Sequence, residues 1–253
     1  MRVHVALTPA DASGLALDGW AAVVVDVLRA TSTVVAACVA GCLRVIPVSD
    51  PEAARERADG GPASELVLAG ERGGQPIPGF ALGNSPLEFT AARVGGRTIV
   101  LTTTNGTAAM LAARSASVAA VAAFSNVGAA AAWALAHGRD LVVLCSGDDG
   151  AFSLEDTVCA GLIVSLVTAA TRTELSDGAV AALALGRYYD ARLEDLRQAS
   201  RWARRLSRMG HGADVDACLR RDVTSMVPIV DGGVIVPGPA ITAVTPASED
   251  LAR

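Results

Sequence analysis

Short apolar runs rich in Val and Ala, each closing on a polar loop that opens a helical stretch, recur through the first two-thirds of the chain. That alternation constrains the fold more than any other feature. The runs are too short for independent helices, and the segments between them are long enough to cross over a sheet. Strands are expected at residues 3–7, 22–26, 43–48, 65–69, 98–102, 118–123 and 141–145. Helices are expected at 31–39, 51–58, 86–93, 107–113, 127–137 and 154–170. Two helix starts are well marked. Ser85-Pro86-Leu87-Glu88 has a capping Ser, Pro at the first helical position and a Glu placed for a capping box; Ser153-Leu154-Glu155-Asp156 is similar.

Beyond residue 170 the character changes. Residues 190–208 form a polar, Arg-rich amphipathic helix, followed by Gly210-His211-Gly212 and a short helix through Leu219. Residues 228–237 then read as a β-hairpin turning on Asp231-Gly232, and the tail from Pro239 is expected to fray. The fold expected is therefore α/β: a mixed or mostly parallel sheet flanked by helices, with a C-terminal helical segment and hairpin. One domain spans 1–253, with lobes 1–171 and 172–253 around a cleft as the alternative division.

Composition limits the chemistry. The 253 residues are 51% hydrophobic and only 4% aromatic, which suits Val-rich strands under Ala-rich helices. A net charge of −5 argues against binding nucleic acid, which rests on clustered cations. All 21 basic residues are Arg. A genomic bias explains that economically, yet it still removes a lysine Schiff base, a P-loop lysine and a lysine base. Any anion must be met by guanidinium or backbone N–H groups. The five cysteines, Cys38, Cys42, Cys145, Cys159 and Cys218, form no Cys-x-x-Cys pair and fit neither a disulfide framework nor a zinc site. The start Met1-Arg2-Val3-His4-Val5 lacks a signal-peptide core, and charges interrupt every long apolar run. A cytoplasmic protein with no membrane partner is expected; a homodimer stays open.

Four loops carry the chemistry. In parallel α/β sheets such loops converge at the carboxyl ends of the strands, where ligands bind. The first presents Asp26 at a strand tip, then Arg29, Thr31, Ser32 and Thr33 at a helix N-terminus, where free N–H groups favour anions. The second runs from Gly70-Glu71-Arg72 through Gly83-Asn84-Ser85, long and Gly-rich; adjacent Glu71 and Arg72 could supply a metal ligand and an anion clamp. The third holds Thr102, Thr103, Thr104, Asn105 and Thr107. The fourth places Ser146, Gly147, Glu155 and Asp156 at a loop–helix junction. Plainer readings compete: Asp26, Thr31, Asn105 and Asp156 as helix caps, and Glu71–Arg72 as a solvated ion pair.

Together these loops offer hard oxygen ligands suited to Mg²⁺, and Arg and hydroxyl donors for oxyanions. Asp26, Arg29, Glu71 and Asp156 are the catalytic candidates; Asp26, Glu71, Glu155 and Asp156 the metal ligands. Thr31, Ser32, Arg72, Asn84, Ser85, Thr104, Asn105, Ser146 and Gly147 are candidates for holding substrate phosphate. Other phosphatase chemistries fail on inspection. Leu28 stands where a haloacid-dehalogenase nucleophile requires a second Asp. The Cys38–Arg44 spacing runs from helix to strand rather than through a loop. Gly210 precedes His211 where a histidine phosphatase needs Arg-His-Gly, and there is no Gly-Lys-Ser/Thr loop.

The loops at 26–33, 71–86, 103–107 and 145–156, in that order, resemble those of the 2-phosphosulfolactate phosphatase family. The resemblance covers most of the first two-thirds of the chain; beyond residue 161 it is carried by residues 210–222 and the Val227-Pro228 hairpin. It implies an unusual α/β fold and Mg²⁺-dependent hydrolysis of a small anionic organophosphate, 2-phosphosulfolactate to sulfolactate and phosphate on a coenzyme M route, or of a similar small phosphorylated hydroxy acid. One departure is Ala81, where the family's Gly-Phe-Asp-Leu-Gly-Asn segment has Asp. Two other readings stay open: a non-catalytic anion-binding protein, and a transferase acting on a phosphorylated metabolite.

Overall fold

The computed structural model describes residues 1–59 and 65–244. Eleven strands form one sheet: β1 (Arg2–Ala6), β2 (Ala21–Val25), β3 (Arg44–Pro47), β4 (Leu66–Arg72), β5 (Gln75–Pro76), β6 (Thr98–Thr102), β7 (Val118–Ala122), β8 (Leu141–Cys145), β9 (Glu174–Leu175), β10 (Ile229–Asp231) and β11 (Val234–Val236). Their order across the sheet is β5-β4-β6-β3-β11-β10-β7-β2-β8-β1-β9. Two parallel groups, β4-β6-β3 and β7-β2-β8-β1-β9, are joined by the antiparallel hairpin β10–β11. The α/β sheet is mostly parallel, with helices on both faces. Residues on either side of 172 build it together.

All five residues of β2, of β6 and of β8 are buried. Alternation along β2 sends Ala21, Val23 and Val25 into one hydrophobic cluster and Ala22 and Val24 into the other. The first cluster is closed by helices Val127–His137 and Leu154–Ala170, the second chiefly by Ala30–Val39. Ala-rich helices let backbone and sheet approach closely, which accommodates the shortage of aromatics. The tightest contact lies between Leu154–Ala170 and Asp177–Tyr189, where a Cβ at Gly161 would fall 1.9 Å from the carbonyl oxygen of Ala182.

Four expectations require correction. The helix at 86–93 is a 3₁₀ turn, Pro86–Glu88, and a separate short helix, Ala91–Val94. Its capping box does not form: the Ser85 hydroxyl donates to Asp214 Oδ1 (2.6 Å) and Glu88 Oε2 accepts from Gly83 N–H (2.8 Å). The helix at 190–208 breaks at Ser200, whose extended backbone ends Leu196–Ala199 and whose side chain caps Arg201–Arg208. The hairpin turns on Gly232-Gly233, both at positive φ, because Asp231 pairs with Val234 in the ladder. The tail does not fray at Pro239: Ile241 N–H donates to Ser225 O (2.9 Å) and Val244 N–H to Gly128 O (3.3 Å). The remainder of the tail, from 245, lies outside the described residues. Helix Asp177–Tyr189 and strand β9 had no counterpart in the expectation.

Candidate active site

The loops that follow β2, β4, β6 and β8 meet at the carboxyl ends of those strands. They border a recess lined by Asp26, Leu28, Arg29, Glu71, Gly73, Asn84, Thr104, Asn105, Asp148, Asp149, Trp202 and Arg205. The recess is small, with a cavity volume of about 50 Å³.

Asp26 is the first residue past β2, so the strand's burial carries its carboxylate into the floor. One oxygen accepts the Ala30 N–H (3.1 Å) at the start of a helix. The Thr31 hydroxyl fixes the same turn, accepting from Asp26 N–H (3.0 Å) and donating to Asp26 O (2.7 Å). The other carboxylate oxygen lies against Gly106, where a Cβ would sit 2.6 Å from it. Glycine is required there for helix Gly106–Ala112 to start beside the acid.

Glu71, near the end of β4, ties two loops together: it accepts from Gly74 N–H (2.6 Å), Thr104 N–H (2.7 Å) and the Thr104 hydroxyl (3.2 Å). Asp156, in the first turn of the helix capped by Ser153, accepts from Val27 N–H (2.8 Å) and Gly147 N–H (3.2 Å). Arg29 is buried, yet it borders the recess. It donates to Asp214 Oδ2 (2.6 Å) and Gly74 O (2.9 Å), and Asp214 also holds Ser85.

These acids are short of compensating charge. Burial raises the Asp26 carboxyl to about 7, and the charges of Glu71 and Glu155 add to the rise against the Ala30 N–H and Arg29. Burial also pushes Asp156 well above the carboxylate range, with Asp26 and Glu155 contributing, and raises Glu155. The nearest guanidinium, Arg29, is already paired with Asp214.

The structure thus brings Asp26, Arg29, Glu71, Asn84, Thr104 and Asn105 to the recess. The side-chain oxygen of Asn84 is buried without a partner there, while Asn105 Oδ1 accepts the Asp149 N–H (3.2 Å) rather than capping its own helix. Glu155 lines an adjoining recess with Ser153, Ser200 and Trp202. The other candidates serve the scaffold. The Ser32 hydroxyl donates to Val27 O (2.8 Å), the Gly147 N–H is held by Asp156, and Ser146 is fully buried. Arg72 is turned away from the recess, donating to Glu71 O (2.7 Å), Ser49 O (3.2 Å) and the Thr102 hydroxyl (2.8 Å). Sequence reasoning missed Asp148, Asp149, Trp202, Arg205 and Asp214. The cap at Ser200 and the Trp-x-x-Arg spacing, which puts both side chains on one helix face, were the available signals for Trp202 and Arg205.

Residues 6–233 match the family described as 2-phosphosulpholactate phosphatase. The chain belongs to that family. It is 40% identical over 221 residues to a probable 2-phosphosulfolactate phosphatase of Symbiobacterium thermophilum, covering 87% of this chain and 95% of that protein. Similar proteins, also named probable 2-phosphosulfolactate phosphatase, occur in Thermotoga maritima (41% over 218 residues; 85% of this chain, 91% of that protein) and Caldanaerobacter subterraneus subsp. tengcongensis (38% over 213 residues; 84% and 88%). Within the 2-phosphosulfolactate phosphatase family, whose name describes a phosphoric monoester hydrolase, the departure at Ala81 falls outside the recess. Ala81 is exposed, and its carbonyl accepts from Arg93 (2.8 Å).

Proposed function

We propose that this chain is a Mg²⁺-dependent, cytoplasmic phosphatase that hydrolyses 2-phosphosulfolactate to sulfolactate and inorganic phosphate, on a coenzyme M route. Besides the family membership, the observation that carries this reading is the cluster of buried, undercompensated carboxylates opening into a small recess beside Arg29. Among the described residues no group of three His, Cys, Asp or Glu is arranged to hold a metal ion alone. Mg²⁺ does not require such a group, since it keeps several waters and is bound through one or two carboxylates plus substrate phosphate oxygens. Asp26 and Glu71 line the recess and would hold it, with Asp156 and Glu155 adding negative charge behind. Bound there, the cation supplies positive charge against the phosphoryl oxygens.

The chain's own groups do the rest. Arg29, fixed by Asp214 and Gly74 O, presents its remaining N–H groups to the phosphoryl group as charge builds on it. The Asn84 amide, donating through its nitrogen, and the Thr104–Asn105 loop orient the ester. Asp26 accepts the proton of the attacking water. The new O–P bond forms as the ester P–O bond breaks, and the proton passes to the departing alkoxide. The Leu28 side and Trp202, whose Nε1–H donates to Leu28 O (2.8 Å), close one wall.

The test is release of free phosphate from 2-phosphosulfolactate with Mg²⁺ present and after chelation. Turnover that requires Mg²⁺ supports the proposal; phosphate release unaffected by chelation removes the metal, and no release removes the activity.

A further inference from the structure

Three arginines could meet a substrate that carries an anion beyond its phosphate, and only one is available. Arg29 is held by Asp214 and Gly74 O with its remaining N–H groups assigned to the phosphoryl group, and Arg72 is turned away. Arg205 lines the recess, is exposed, and makes no salt bridge or hydrogen bond to any other side chain among the described residues. Its neighbours on the helix Arg201–Arg208 differ. Arg201 pairs with Asp148 (3.2 Å), and Arg204 and Arg208 donate to backbone carbonyls.

Arg205 is also held in place. Ala203 and Leu206 anchor the helix in the core, and Ser200 caps it. The guanidinium lies 5.0 Å from the centre of the Trp202 ring, whose Nε1–H is fixed to Leu28 O. A guanidinium stacked on an aromatic face keeps its N–H fork free for a planar or tetrahedral oxyanion. Asp26 and Glu71 line the same recess as Arg205, so a substrate whose phosphoryl group sits at the carboxylate cluster shares that recess with a free guanidinium.

We propose that Arg205 is a specificity-determining residue that binds a second anionic group of the substrate, the sulfonate or carboxylate remote from the reacting phosphoryl. The substrate class is then a phosphate ester of a small hydroxy acid, not a simple alkyl phosphate. This deepens the phosphatase reading and rests on it.

The experiment compares wild type, Arg205→Ala and Arg205→Lys on 2-phosphosulfolactate, on 2-phospholactate, which lacks the sulfonate, and on ethyl phosphate, which lacks any second anion. Calorimetric binding of sulfolactate is measured alongside. Because Arg205 is exposed, the variants should keep the wild-type circular dichroism and melting temperature. Arg205→Ala should raise KM for 2-phosphosulfolactate and the Kd of sulfolactate by about tenfold or more, with kcat within a few-fold, and Arg205→Lys should recover part of the loss. KM for ethyl phosphate should be unchanged. A persisting loss on 2-phospholactate would assign Arg205 to the carboxylate, and its disappearance to the sulfonate. An equal rise on ethyl phosphate, or wild-type KM and Kd in the Ala variant, overturns the proposal. A wild type that binds sulfolactate through Arg205 but releases no phosphate would instead overturn the phosphatase reading alone. Failure of wild type to bind sulfolactate, with phosphate still released from 2-phosphosulfolactate, overturns the Arg205 assignment and leaves the phosphatase reading standing.

Discussion

At the residue scale, the recess depends on one ion pair that joins distant parts of the chain. Asp214 holds Arg29 at 2.6 Å and the Ser85 hydroxyl at 2.6 Å, and both charged side chains are almost wholly buried. Removing one partner of such a pair leaves the other charge uncompensated, which typically costs about 3–5 kcal/mol. Asp214→Asn should therefore lower stability by about 3 kcal/mol and, by loosening Arg29, reduce kcat on the phosphate ester by at least about tenfold. Denaturant melts and steady-state kinetics check both; an unchanged midpoint with wild-type kcat would remove Asp214 as the residue that positions Arg29. The residue scale also shows where reading the sequence goes astray. Glu71 and Arg72 are neighbours on β4, and successive strand side chains point to opposite faces. Only one could face the recess, and it is Glu71. Asp26, Asn84, Thr104 and Asn105 were legible because loops after strands converge in any parallel sheet.

At the element scale, the parallel strands and their covering helices were legible from apolar periodicity. β6, β8, Val127–His137 and Leu154–Ala170 fall where the sequence places them. The errors lie where side-chain partners override local signals. Ser85-Pro86-Leu87-Glu88 has every residue of a capped helix, but Asp214 and Gly83 N–H claim its two capping groups. Helix Asp177–Tyr189 was overlooked although Ser176 caps it through the Ala179 N–H (3.2 Å). Its seat against Leu154–Ala170 depends on Gly161 and Gly186, because a Cβ at either would overlap backbone of the other helix. Gly161→Ala should force the pair apart at a cost of about 3 kcal/mol, lowering the melting temperature by roughly 10 °C. Neither glycine lines the recess, so kcat of the folded fraction should stay near wild type. A melting temperature equal to wild type would show that the helices do not pack this closely.

At the scale of the whole molecule, the chain returns to its own site. Trp202, Arg205 and Asp214 reach the recess from beyond residue 200, and the hairpin β10–β11 fastens the two parallel groups into one sheet. The cap at Ser200 and the family-like stretch 210–222 marked these segments as structured, but their meeting with the loops at 26–33 and 71–86 is set by long-range packing that no local pattern encodes. Collecting buried acids in one place also sets how stability responds to pH. Asp26, Asp156 and Glu155 have folded values raised above their unfolded ones, Asp26 from 3.8 to about 7. Between those limits the folded state binds more protons than the unfolded chain, so stability is fullest below about pH 4 for these groups and is lost as pH rises through 7. Asp50 and Asp140, shifted downward, titrate below that window. The metal-free protein should melt several degrees lower at about pH 8 than at about pH 5.5, and Mg²⁺ should raise the melting temperature more at the higher pH, where the carboxylates are ionised. A melting temperature indifferent to both would mean that the acids are not undercompensated.

The central claim is that this carboxylate cluster is the phosphatase site, and Asp26 is its most exposed test. The decisive measurement is phosphate release from 2-phosphosulfolactate at saturating Mg²⁺ by wild type and by Asp26→Asn, with melting temperatures recorded for both. Asparagine keeps the shape and the hydrogen-bond acceptor for Ala30 but removes the charge and the proton acceptor. The account predicts that release falls by about three orders of magnitude while the melting temperature is held or raised. Turnover by Asp26→Asn within a few-fold of wild type would contradict it.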